Sequence, residues 1–395
     1  MLRLRLLPTG RARLVAVSAL LVLAACSSGA AGSTGSFAPQ PDFLGNNDPN
    51  PQLPNPGIPA PSLSASDPGG TVPTSPPSSG SALAQGDPNV VATKLDEPTG
   101  LVVLPDGTAL VGERKSGRIY RVQPGNTGQP PVLVQTLAGV DGSGDGGLLD
   151  LAISPSYAED GLIYAYLTTK TDNRVVHFAL GSAPSTVIGG IPRGTTGNSG
   201  RIAFDATGAL LTGTGNAGNP TLAGSATSLA GKILRTDDIG KPAADNPNPA
   251  SAIYATGFST VDGLCVDART GTRFAVMGDK IELLKPGVDY GSAQPAATLP
   301  AKLTGGGGCA IASGQLLVAT STARSLAVAT VSAANAVGQF QVAVGDTYGR
   351  LRTVVIGSDN AIWLTTRNRD GRGKPVADDD RVIRLTSVDG AGSPL

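Results

Sequence analysis

The sequence predicts an all-β fold, a six-bladed β-propeller preceded by a signal peptide and a disordered Pro-rich tether. Three observations predict it. Glycine (54) and proline (31) are abundant among 395 residues, while aromatic residues are 4% and charged residues 15%. That composition suits short strands and tight turns; helical bundles need long runs of Ala, Leu, Glu and Lys. A unit of three apolar strands separated by turns recurs six times, about 45–60 residues apart. That period, with three or four short strands per unit, marks a propeller. Finally, the composition changes abruptly near residue 88. The length would also hold two or three average domains, but one large β-domain fits it.

Residues 1–25 read as a lipoprotein signal peptide. Arg3, Arg5, Arg11 and Arg13 form a cationic start, and Leu14–Ala25 is apolar. This run is shorter than the roughly 20 residues a membrane-spanning helix needs. It ends in Leu23-Ala24-Ala25-Cys26, a lipobox, so Cys26 is the expected site of cleavage and lipid attachment. The expected location is the outer face of a bacterial cell membrane, in the cell envelope, with the membrane as a partner through that lipid. Removing the leader leaves 26 basic and 30 acidic residues, a net charge of −4. Such a balance argues against nucleic acid as a partner. Residues 26–88 hold 13 of the 31 prolines and few large apolar residues. They bury too little apolar area to offset the entropy of ordering, and read as a flexible linker.

Residues 89–390 carry the six units. The first is Gly100-Leu-Val-Val-Leu-Pro-Asp-Gly107, Ala109–Gly112 and Gly117–Val122. Its Pro-Asp-Gly makes a tight turn because Pro fixes φ and Gly accepts positive φ. The second unit is Leu149–Pro155, Leu162–Tyr166 and Arg174–Phe178. The third is Gly200–Asp205, Ala209–Thr212 and Gly231–Arg235. The fourth is Gly263–Asp267, Arg273–Val276 and Lys280–Leu284. The fifth is Gly308–Ile311, Gln315–Val318 and Ser325–Ala329, and the sixth Leu351–Ile356, Ala361–Leu364 and Arg381–Leu385. A strand near Asn89–Lys94 is expected to pair into the last unit and close the ring, leaving no exposed end blade. Asp106, Asp205 and Asp267 fall at turns, where they cap; Asn216 and Asn219 fall in a loop expected to face the channel.

One His and three Cys leave no Cys/His zinc site, and no metal is expected. His177 sits on an outer strand beside Phe178 and reads as a packing or surface residue. With Cys26 lipidated, Cys265 and Cys309 remain, at comparable first-strand positions of units four and five. In an oxidising compartment they are expected to form a disulfide; two buried thiols are the alternative.

Several phrases in order resemble the soluble glucose/sorbosone dehydrogenase family, six-bladed propellers that use pyrroloquinoline quinone (PQQ). They are Glu113-Arg114, Gly144-Asp-Gly-Gly-Leu-Leu149 with Ala152–Tyr157, Ser199–Ile202, Gly231–Arg235, Asp245–Pro247, Ile253–Gly257, Gly287–Gly291 and Gly349–Arg352. Within that family the lipobox and tether resemble the LppZ-type lipoproteins of mycobacteria and other actinobacteria. The resemblance implies a cofactor and sugar site at the mouth of the central channel. It also implies a catalytic His, which takes a proton while hydride passes to the quinone. That position here is Gly197. The family loop that holds the quinone with Arg, Asn and Gln reads Gly257-Phe-Ser-Thr-Val-Asp-Gly263, placing Ser259, Thr260 and Asp262 at those positions. A further family Gln is Asp145. The carbonyl segment that ligates calcium is shortened to Met277-Gly-Asp-Lys280. Arg350 and Arg352 match two family arginines near the cofactor.

The candidate pocket is therefore Asp145, Asn198, Ser259, Thr260, Asp262, Arg350 and Arg352, with no catalytic residue. A tricarboxylate loses a cation and meets a new carboxylate there, so no cofactor is expected. The expected function is binding of a small polar ligand or an envelope protein. The alternative is a PQQ- and calcium-dependent sugar (aldose) dehydrogenase with an atypical site.

Overall fold

The computed structural model describes residues 86–125 and 130–386. The signal peptide, Cys26 and the linker up to residue 85 lie outside the described residues.

Twenty-four strands form six four-stranded antiparallel sheets. β1 (Val90–Ala92) comes first in the chain. Blade one is β2 (Pro98–Val103), β3 (Ala109–Glu113), β4 (Arg118–Val122) and β5 (Val132–Thr136). Blade two is β6 (Leu148–Ile153), β7 (Ile163–Thr168), β8 (Asn173–Phe178) and β9 (Ser185–Ile191). Blade three is β10 (Gly200–Phe204), β11 (Leu210–Thr214), β12 (Lys232–Thr236) and β13 (Ile253–Thr256). Blade four is β14 (Gly263–Val266), β15 (Arg273–Met277), β16 (Lys280–Leu283) and β17 (Ala297–Thr298). Blade five is β18 (Gly306–Ala312), β19 (Gln315–Thr320), β20 (Ser325–Thr330) and β21 (Gln341–Val344). Blade six is β22 (Leu351–Ile356), β23 (Ile362–Thr366) and β24 (Val382–Leu385), with β1 as its outer strand. The register Val90↔Ile383 and Ala92↔Val382 ties the start of the domain to its end and closes the ring.

The sequence pattern marks the inner three strands of each blade, and the structure places strands at all of them. Four-strand blades then require an outer strand in blades one to five that the pattern did not mark. Three of those strands are poorly buried: β5 has no buried residue, β21 none, and β17 is only two residues long. The turn aspartates behave as caps, with Asp106, Asp205 and Asp267 accepting from the N–H two residues on, each at 2.9 Å. Asn219 caps the short helix Pro220–Gly224.

The core is divided among the blade interfaces. Leu110, Ile119, Leu151 and Phe178 pack between blades one and two. Val91, Leu101, Val111, Trp363 and Val382 pack between blades six and one. Comparable clusters fill the other four interfaces. Cys265 and Cys309 form a disulfide across the inner strands of blades four and five, with Cα atoms 5.5 Å apart. His177 lies on β8 with its ring 5.5 Å from that of Tyr164.

Charges are also buried between blades. Asp205 accepts from Arg235 at 2.8 Å and from Arg273 at 2.9 Å, joining blades three and four. Glu282, on β16, is fully buried with neither carboxylate oxygen hydrogen-bonded among the described residues. Burial pushes its carboxyl above the ordinary value, because a charged oxygen without a partner is costly in the interior. A raised folded-state value favours the protonated form, so its contribution is fullest below the unfolded value and is lost as pH rises. Glu282→Gln keeps the shape and removes the charge. It is expected to raise the melting temperature by a few degrees at pH 8, with the gain vanishing towards pH 4; calorimetry across that range checks it.

Candidate functional site

The inner strands β2, β6, β10, β14, β18 and β22 ring a central channel with a cavity at each end. The end where these strands begin holds a 300 Å³ cavity. Its wall takes Glu97 and Thr99 from blade one, Gly144, Asp145 and Leu149 from blade two, and Ser199 from blade three. Thr260 and Asp262 come from the entry to β14, and Arg352 from β22. Arg114, after β3, and Arg367, Asp370 and Arg372, in the β23–β24 connection, complete the rim.

Two of the acids are neutralised from within. Glu97 accepts from Arg114 Nε at 2.8 Å and meets Lys115 Nζ at 2.5 Å. Burial pushes its carboxyl up, but the two cations outweigh that and hold it below the ordinary value. Its backbone is left-handed, φ 49°, an uncommon conformation for a side-chain-bearing residue. Asp370 pairs with Arg350 at 2.9 Å and Arg367 at 3.1 Å. There too burial raises the carboxyl, and the Arg372 N–H with the two guanidinium groups outweighs it.

Asp145 is held by the backbone. It accepts from the Gly197 N–H at 2.6 Å and from the Asn198 N–H and Nδ2 at 3.2 and 2.7 Å. Asp262 accepts from Thr260 Oγ1 at 2.7 Å and the Gly278 N–H at 3.1 Å, with no ion pair among the described residues.

Arg352 is different. It is 9% exposed, lines the cavity, and its buried Nε has no partner. Among the described residues its guanidinium makes no hydrogen bond or ion pair. Burial, then the charges of Arg201 and Arg367, work against its cationic form, and Asp262 and Asp150 favour it. A guanidinium nonetheless stays charged in proteins, so this wall presents a buried cation with no direct partner among the described residues.

Three of the expected pocket residues are placed elsewhere. Asn198 is fully buried behind Asp145, where it holds Gly194 and Asn173 and braces the wall. Ser259 is exposed outside the cavity; its carbonyl accepts from Asn216. Arg350 turns to Asp370 and to the Ser321 carbonyl at 3.1 Å, not to Asp145 or Asp262. Asp145, Thr260, Asp262 and Arg352 do come together. Sequence reasoning missed Glu97, Arg367, Asp370 and Arg372. The signal was present in Arg367-Asn-Arg-Asp-Gly-Arg-Gly-Lys374, a dense run of charge in a chain with few charges.

Gly197 has φ +73°, and a Cβ built there would lie 2.5 Å from the Gly218 nitrogen and 2.8 Å from Asn216 Oδ1. No side chain fits without moving backbone. The calcium-loop position is the hairpin between β15 and β16, where Met277 pairs directly with Lys280. The only carboxylate in that turn, Asp279, accepts from the Gly305 N–H at 2.7 Å.

Residues 95–302 match the model of the glucose/sorbosone dehydrogenase family. The PQQ-bound aldose sugar dehydrogenase of Streptomyces coelicolor is 38% identical, with a TM-score of 0.70, covering 75% of this chain and 95% of that one. A putative oxidoreductase (glucose dehydrogenase) of Thermus thermophilus is 32% identical, with a TM-score of 0.68, covering 75% and 98%. The aldose sugar dehydrogenase YliI of Escherichia coli K12 is 26% identical over 225 residues, which span 51% of this chain and 60% of that protein. A propeller matching at this level over almost the whole of its relatives' solved structures defines the class, and the chain belongs to the glucose/sorbosone dehydrogenase family.

Gly197→Ala is expected to cost about 1–3 kcal/mol, from left-handed strain and the backbone contact. Gly197→His is expected to cost more and to give no sugar oxidation; denaturant unfolding and a dye-linked assay check both.

Proposed function

We propose that this protein is a cell-envelope lipoprotein whose channel mouth binds a small acidic polyol and does not oxidise sugars. The single observation that carries this reading is Arg352, a buried cation on the cavity wall with no partner of its own among the described residues. A ligand carboxylate or phosphate satisfies it with a charge-assisted hydrogen bond. The carboxylates of Asp262 and Asp145, both on the same wall, accept hydrogen bonds from neighbouring ligand hydroxyls. An acid group beside a row of hydroxyls meets both demands.

PQQ and calcium do not fit the residues present. The cavity wall carries four carboxylates against four guanidinium groups, and a tricarboxylate finds one of those cations, Arg352, both buried and unpaired. The quinone loop's cation is replaced by Ser259, which lies outside the cavity. The position of the proton acceptor is Gly197, where an imidazole has no space. The shortened β15–β16 turn offers calcium no carbonyl loop. No step is therefore assigned to a cofactor. The leader and lipobox support the envelope location, with lipid on Cys26 as in LppZ-type lipoproteins.

A second reading, a PQQ-dependent aldose dehydrogenase with an atypical site, is favoured by the 38% identity to the PQQ-bound enzyme. The two differ in what the mouth recognises. Under the first, gluconate binds the purified protein more tightly than glucose does, and Arg352→Gln weakens gluconate tenfold or more, about 1.4 kcal/mol. Glucose binding is unchanged by that variant. Equal affinity for gluconate and glucose, with dye reduction on adding glucose and PQQ, would support the second reading.

A further inference from the structure

The second cavity, at the opposite end of the channel, is the larger one at 480 Å³. The far halves of all six inner strands wall it. Each blade gives it a half-buried apolar residue: Val103, Ile153, Phe204, Val266, Ala310 and Ile356. The Cys265–Cys309 disulfide adds to this wall. Apart from the exposed Ser358 at the outer rim, the polar side chains gather at its inner end, where Asp150, Arg201 and Thr353 lie.

Two of those three are satisfied. Thr353 Oγ1 donates to the Thr99 carbonyl at 2.6 Å. Asp150 accepts from the Ile202 N–H at 2.9 Å and lies 3.4 Å from Arg201 Nη1. Arg201 is 2% exposed; its Nε donates to the Asp262 carbonyl at 2.8 Å, but its buried Nη2 has no partner among the described residues. Burial raises the Asp150 carboxyl, with Arg201 opposing, and its contact reaches Nη1 rather than Nη2. A buried charged donor without an acceptor is costly, and the space beside it is apolar. Ligand sites commonly take this form, with apolar walls and a few convergent polar groups. Strand rise over the three steps from Asp150 to Ile153 gives the funnel a depth of roughly 10 Å, enough for most of an extended medium-chain alkyl tail.

We propose that this cavity is a second binding site, for a medium-chain carboxylate whose acidic head meets Arg201 and whose tail fills the apolar funnel. It is separate from the mouth cavity and does not depend on the ligand assigned there. The acid group supplies the acceptor that Arg201 Nη2 lacks, and the tail covers the ring of half-buried side chains.

Calorimetric titration of the purified full chain with sodium decanoate, below its micelle concentration, tests this. Saturable one-to-one binding is expected, at least tenfold tighter than for neutral decan-1-ol. Arg201→Gln is expected to weaken decanoate tenfold or more without changing decan-1-ol. Because Arg201 also ties β10 to Asp262, Val266→Asp is the independent variant. It places a negative charge in the funnel and is expected to abolish decanoate binding, while gluconate titration at the other mouth is unaltered. No saturable heat from folded protein would overturn the proposal. So would equal affinity for decanoate and decan-1-ol, or decanoate binding that survives both substitutions.

Discussion

Everything at the channel depends on closure of the ring by β1. A blade buries one apolar face on each neighbour, so six blades make six interfaces, and an open ring would leave two of them solvated. The pairing of Val90 with Ile383 and Ala92 with Val382 brings the first described strand into the last blade. Trp363, fully buried with Val91 and Leu101 in the cluster between blades six and one, fills the seam this creates. Only then do the six inner strands stand in a circle, with their first residues converging on one mouth and their last on the other. Arg352, Asp262 and Asp145 come from three different blades, and no local segment could assemble them.

The mouth is a nearly balanced set of charges, and the balance is what gives it character. Glu97 and Asp370 each take two cations, and Asp145 is bound up by the Gly197–Asn198 backbone. Among the described residues, what is left without an ion-pair partner is the buried Arg352, the exposed Arg372, and the carboxylates of Asp145 and Asp262. Such an arrangement is polar and suited to selective recognition. Fold and site are separable: the propeller is that of its family, and the reading offered for the site rests on the few residues that differ.

Much of the fold was legible in the sequence because inner strands must be apolar on both faces, and each is followed by a turn with strict residue demands. The Pro-Asp-Gly turn after β2 and the capping aspartates meet that demand in blades one, three and four. Outer strands escaped notice because one face is solvated, and solvated strands carry no fixed pattern; Ser185–Ile191 is mostly exposed or half-buried. At the site, four of the motif positions, Asp145, Thr260, Asp262 and Arg352, line one cavity. The motifs misplaced Ser259, Asn198 and Arg350, because adjacency in sequence does not say which way a side chain turns. Arg350 and Arg352 are two residues apart, yet one pairs with Asp370 and the other faces the cavity unpaired. Glu97 was invisible because its meaning lies in cations from a distant segment, Arg114 and Lys115.

The central claim is that the family's scaffold persists here with a mouth built for a different ligand. Calorimetric titration of PQQ with calcium into the purified protein tests it most directly. The account predicts no saturable heat from protein shown to be folded. Binding in the micromolar range or tighter, about −8 kcal/mol or better, would contradict it.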